Sequence, residues 1–156
     1  DPMLVATALA LSLQAAPAGA VDPASPEGAA VMAPVNAVFA ALAARDGQAI
    51  LPHVDQNGRI TVVVDRVDGA RRVGTPTWAE FTSGLTAGPE RFEEQMPNPT
   101  VAIDGNIATV WGRYVFKIDG QTSHCGVNHF DLIRRNDAWT IVNLTWSQRT
   151  TGCEAL

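Results

Sequence analysis

The feature that most constrains this chain is the dipeptide Asp119-Gly120, which stands between two long runs of alternating apolar and polar residues. A two-residue link of this kind suits the positive backbone angles of a tight hairpin. Ile107 to Ile118 and Gln121 to Arg134 are therefore predicted as two long antiparallel strands. Asn136-Asp137 marks a second reversal, followed by a strand from Trp139 to Gln148. Upstream, Arg91 to Met96 and Val101 to Ile103 predict short strands, the second entering the hairpin through the turn Asp104-Gly105-Asn106.

The first half has a different period. Val31, Val35, Val38, Phe39 and Leu42 recur at three- and four-residue spacing, so one face of a helix is apolar. Ser25 or Pro26 starts that helix and Arg45-Asp46-Gly47 closes it, with Pro34 expected to kink it or to delay its start to about residue 34. Gln48 to His53 predicts a second short helix and Ile60 to Val64 a β-branched strand. Thr75 to Phe81 predicts a third helix, capped by Thr75 or Thr77, with Glu80 three residues after Thr77. Helices first and a strand meander afterwards mean α+β: N-terminal helices packed on a curved, mixed but mainly antiparallel sheet.

A chain of 156 residues has room for one such domain. Residues 1–20 differ from the rest, because the apolar run Leu4 to Leu13 and the small triplet Ala18-Gly19-Ala20 have the pattern of a secretory segment without its basic start. The expected organisation is a signal-like segment at 1–20, a linker at 21–27 and a single domain at 28–156. Export to the periplasm or medium follows as an expectation, and with it a disulfide between the two cysteines, Cys125 and Cys153. No Cys/His ligand spacing suggests a metal, and no cofactor motif is present. The formal charge of -5, with scattered cations, disfavours nucleic acid as a partner, and no membrane association is expected once the first segment is removed.

Three segments carry a resemblance. Val38 to Gly47 as a helix ending, Trp111 to Gly120 with Ser123 to Asn128 in the hairpin, and Trp139 to Asn143 in the last strand are similar to an exported bacterial branch of the nuclear transport factor 2-like superfamily. The likeness spans about residues 28 to 150. It implies a cone whose strongly curved sheet encloses a pocket. The superfamily includes a ketosteroid isomerase, polyketide cyclases, dehydratases, an epoxide hydrolase and members that only bind, so it implies no single activity.

Strand alternation puts Val110, Gly112, Tyr114 and Phe116 on one face of the hairpin, with His124, Gly126, Asn128, Phe130 and Leu132 on the same face of the return strand. Val142, Leu144 and Trp146 continue it. An apolar cavity walled by Phe116, Phe130, Leu144 and Trp146, with Trp78 from the third helix, would then receive the polar tips of Tyr114, His124 and Asn128. Gly126 signals a bulge or a close backbone approach that shifts the register.

The isomerase pattern is only partly met. Phe39 stands where that enzyme carries its oxyanion tyrosine, Asp55 is the nearest candidate base, and Asp131 falls on the outward face of its strand. Two readings stand. One is an exported module that binds a small apolar or aromatic molecule. The other is a lyase- or isomerase-type enzyme of dehydratase or cyclase chemistry, with His124 as acid/base, Tyr114 as donor and Asp55 as a further catalytic carboxylate. A homodimer through the outer sheet face, anchored by Trp111 and Val115, is a third use of the fold.

Overall fold

Asp119 and Gly120 both adopt positive φ, 50° and 80°, and the hairpin they close organises the molecule. The computed structural model describes residues 19–154; all but Gly19 and Ala20 of the signal-like segment lies outside the described residues. The strands are β1 (Ala20–Val21), β2 (Ile60–Asp65), β3 (Arg71–Gly74), β4 (Phe92–Gln95), β5 (Thr100–Asp104), β6 (Ile107–Ile118), β7 (Gln121–Arg135) and β8 (Ala138–Gln148). Two α-helices, α1 (Pro26–Ala44) and α2 (Trp78–Gly84), and a 3₁₀ helix at Gly47–His53 complete the fold.

The eight strands form one curved, open sheet in the order β1-β5-β6-β7-β8-β2-β3, with β4 following β5 along the same edge of β6. Among the described strands, β2 and β8 are the one parallel pair. The three helices pack on the sheet, as the α+β expectation requires.

Local chemistry explains the elements. Ser25 caps α1 through a 3.1 Å bond from the Gly28 amide, Pro26 occupies the first turn, and Arg45 ends the helix in the left-handed region at φ 54°. Pro34 does not delay the start: α1 is helical from Pro26 to Ala44, and Pro34 is buried within it. The helix is apolar and long enough to span a membrane by length and composition alone. Its apolarity has a use inside the fold, because Val31, Val35, Val38 and Ala41 are buried in the core beneath it. In α2 the Thr77 side chain accepts from the Glu80 amide while Glu80 accepts from the Thr77 amide, the expected capping box.

Beyond shifts of a few residues at element ends, the structure departs from expectation at β1, β3 and β8. Val21, assigned to the linker, pairs with Val101 in β1, and the rest of the 21–27 interval already contains the start of α1. Two residues suffice there because the edge of β5 supplies the partner. β3 is an added hairpin arm on β2, with three of its four residues exposed, and so it lacks the alternation that marks a buried strand. In β8 a bulge falls at Val142, between the pairs Asp131–Asn143 and Leu132–Ile141. The bulge turns Ile141 into the core, fully buried, where simple alternation had put Val142.

Candidate functional site

The helices and the concave sheet face leave a cavity of about 180 Å³ between them. From α1 it receives Val38, Phe39 and Leu42, and from α2 Phe81. The sheet adds Glu94 from β4, Tyr114 and Phe116 from β6, His124, Asn128 and Phe130 from β7, and Leu144, Trp146 and Gln148 from β8. The register explains the convergence: Phe116 faces His124 across the hairpin, Asn128 faces Trp146, and Phe130 faces Leu144. A bulge between Phe116 and Lys117 lies beyond these pairs and leaves their common face intact.

The structure thus brings together Tyr114, Phe116, His124, Asn128, Phe130, Leu144 and Trp146, and leaves two of the expected residues outside. Trp78 is fully buried in the core, where its indole N–H donates 3.2 Å to the Val142 carbonyl that the bulge frees. Phe81, one helical turn on, takes the place at the cavity wall and meets Trp146 edge-on at 6.0 Å. Asp55 lies away from the cavity in the turn before β2, accepting from the Asn57 amide at 3.0 Å and paired with Arg135 at 2.9 Å. Those two interactions, the backbone hydrogen bond first, hold its carboxyl below the usual range, and they suit a structural turn rather than a base.

Tyr114 is buried, and its hydroxyl donates 3.0 Å to the Ser147 carbonyl on β8. The bond crosses Gly126, the register partner of Tyr114 on β7. A Cβ at Gly126 would sit 1.9 Å from that same carbonyl oxygen, so the close approach requires glycine. The hydroxyl proton is therefore committed to holding β6 and β8 together over a bare backbone position. Burial, followed by the nearby charge of Glu94, pushes the phenol's pKa upward, so it stays protonated.

His124 is stacked on Phe116, with centroids 4.9 Å apart, and meets Tyr114 edge-on at 5.8 Å. Its Nδ1 lies 3.2 Å from the Ser123 hydroxyl. Desolvation lowers its pKa, leaving a neutral imidazole at the cavity wall at neutral pH.

Glu94 is the polar cavity residue that sequence reasoning missed. Its Oε1 accepts from Asn128 Nδ2 at 2.6 Å, and desolvation raises its pKa to about 7 against the smaller opposing effect of that bond. The signal was present, for alternation in the predicted strand puts Glu94 between Phe92 and Met96 on one face. A carboxylate flanked by apolar residues on an inward face is the informative kind of exception.

Cys125 and Cys153 form a disulfide with Cα atoms 5.6 Å apart, beside the backbone pairing of Cys125 with Arg149. The bond lays the tail against the outer face next to Val115, the register partner of Cys125. Of the two residues expected to anchor an outer-face dimer, Val115 is buried and Trp111 is 55% exposed. Asp131 lies on that outer face with His129, which bonds Thr109 at 2.8 Å.

This architecture, helices closing the mouth of a curved open sheet over an apolar cavity, is that of the NTF2-like proteins. An NTF2-like protein of unknown function from Shewanella baltica OS155 is similar at a TM-score of 0.60 and 15% identity, over 80% of this chain and 95% of that one. Another from Methylobacillus flagellatus KT gives 0.61 and 16%, over 81% and 95%. A protein of unknown function with a cystatin-like fold from Nostoc punctiforme PCC 73102 gives 0.59 and 11%, over 85% and 97%. No family model and no curated protein matches the sequence. At these identities the likeness defines the fold, and the function must be argued from the cavity itself.

Proposed function

We propose that this protein is an exported module that binds a small apolar or aromatic molecule inside its cone. One observation carries the reading: an apolar cavity whose few polar groups, Glu94, His124, Asn128 and Gln148, converge among aromatic walls. At about 180 Å³ it is smaller than the 300–1,000 Å³ typical of drug-sized sites, which favours a ligand of one ring or a short chain. Export is supported by the Cys125–Cys153 bond and by the apolar run Leu4 to Leu13.

The test is a solution NMR titration of the isotope-labelled protein with single-ring aromatic fragments. Saturable shifts clustered at Phe39, Phe130, Leu144 and Trp146 support the reading. Shifts confined to the outer face around Trp111 and His129 contradict it.

A second reading, a lyase- or isomerase-type enzyme, draws support from His124. A neutral imidazole at the cavity wall is able to take a proton from a bound molecule. Tyr114 contributes positioning rather than a free donor in that reading, because its proton is engaged by Ser147.

A further inference from the structure

Glu94 is out of place in an apolar binding cavity. Removing a carboxylate from water is costly unless a cation or several donors compensate, and Asn128 supplies the one hydrogen bond to it among the described residues. Among the described residues, no lysine or arginine lines the cavity. The charged and titratable groups near Glu94 are engaged elsewhere or neutral. Arg45, at the end of α1, lies 4.1 Å over the Phe92 ring and 3.3 Å from Glu90. Lys117 on β6 reaches Gln95 at 3.4 Å and is the register partner of Glu93. Tyr114 stays protonated, and His124 on β7 is neutral near pH 7. Arg149, beyond β8, acts on Tyr114 and is not part of the lining.

The walls around this carboxylate are aromatic: Phe39, Phe81, Phe116, Phe130 and Trp146. Ring faces attract organic cations, and most strongly where water is excluded. A half-buried carboxylate at a cavity wall, without a cationic partner among the described residues, and a ring-lined cavity are complementary to one ligand chemistry. We infer that the cavity takes a lipophilic ammonium ion, such as a small aryl- or alkylamine, with Glu94 as its counter-ion and the aromatic residues as its cage. This rests on the binding reading above and specifies its ligand.

The site also sets a pH dependence. A cation binds the ionised form of Glu94, whose pKa stands at about 7, so affinity rises with pH through neutrality. Protonation of His124 at lower pH adds a repelling charge and acts in the same direction.

The experiment is calorimetric titration with 2-phenylethylamine, which stays protonated from pH 5.5 to 8, and with its neutral analogue 2-phenylethanol. The expected result at pH 8 is at least a tenfold preference for the amine that shrinks several-fold by pH 5.5. Glu94→Gln, which keeps a side chain able to bond Asn128, should lose the preference while still binding the alcohol; that retained binding shows the cavity is folded. Glu93→Gln removes one charge from the neighbouring residue and should retain the preference, which separates a built site from general attraction to an acidic protein. Alcohol and amine binding equally well, or a preference that survives Glu94→Gln, overturns the inference and leaves the binding reading standing. Failure of both probes at millimolar concentration contradicts the binding reading and the inference together.

Discussion

Asn128 donates a 2.6 Å hydrogen bond to Glu94, joining the middle of β7 to β4 across the inside of the cone. Asn128 is only 3% exposed, and Glu94 Oε1 is the acceptor for its amide, so neither side chain has a purely solvated role. The pair gives the cavity its polar end, and its chemistry is measurable without knowledge of any ligand.

Glu94 has a folded-state pKa of about 7, above its ordinary value of 4.5. A carboxyl raised in this way contributes stability that is fully present below about pH 4.5 and is lost as pH rises through about 7, because the unfolded chain ionises first. Denaturant unfolding of wild type and Glu94→Gln between pH 4.5 and 8 should show the difference in stability shifting by about 2–3 kcal/mol in favour of the variant. A pH-independent difference would place the carboxyl in a well-solvated environment and contradict the cavity described here.

His124 titrates in the opposite sense. Its folded pKa is depressed by desolvation, so stability falls as pH drops below about 6.5, where the unfolded imidazole takes up a proton that the folded one refuses. His124→Gln should remove that loss. In the binding reading the variant keeps ligand affinity within roughly tenfold, the scale of one neutral hydrogen bond. If a turnover activity is found, a loss of about 10²-fold or more at unchanged affinity makes His124 an acid/base residue.

Much of the fold was legible because its elements are signalled locally. β6 carries the predicted bounds, 107 and 118, since Asp119-Gly120 fixes one end and Gly105 the other. The capping box of Thr77 and Glu80 likewise announces α2. What escaped depends on tertiary partners. β1 is two residues that extend only because β5 offers an edge, and the Val142 bulge is stabilised by the Trp78 indole, which is 64 residues away in sequence. At the site, alternation recovers the wall of β6 and β7 because no bulge intervenes between Tyr114 and Phe116 or between His124 and Phe130. Trp78, expected at the wall from the third helix, is misplaced, since a one-turn difference on a seven-residue helix decides whether Trp78 or Phe81 meets the cavity.

The close approach at Gly126 makes a sharp structural test. Gly126→Ala drives a methyl into the Ser147 carbonyl and disturbs the acceptor of Tyr114. Chemical denaturation should show a loss of about 2–3 kcal/mol, since backbone on both sides must shift. A neutral substitution would mean that β7 and β8 do not meet as described.

The disulfide closes a loop with a sequence separation of 28, for which chain-entropy arguments give about 3 to 4 kcal/mol. Cys153→Ser should lower stability by that order. It should also speed hydrogen exchange at the Cys125 and Arg149 amides, which bond each other's carbonyls at 2.9 Å. Two alkylatable thiols in the purified protein without reductant would contradict the pairing.

The most direct test of the central claim, that the concave cavity is the binding site, is to fill it. Leu144 is 6% exposed and lines the wall opposite the helices, so Leu144→Trp occupies the cavity at a packing cost of about 1 to 3 kcal/mol. The measurement is calorimetric titration of wild type and Leu144→Trp with 2-phenylethanol, alongside circular dichroism to show that the sheet is retained. The account predicts saturable binding to wild type and none to the folded variant; unchanged binding to the filled protein would contradict it.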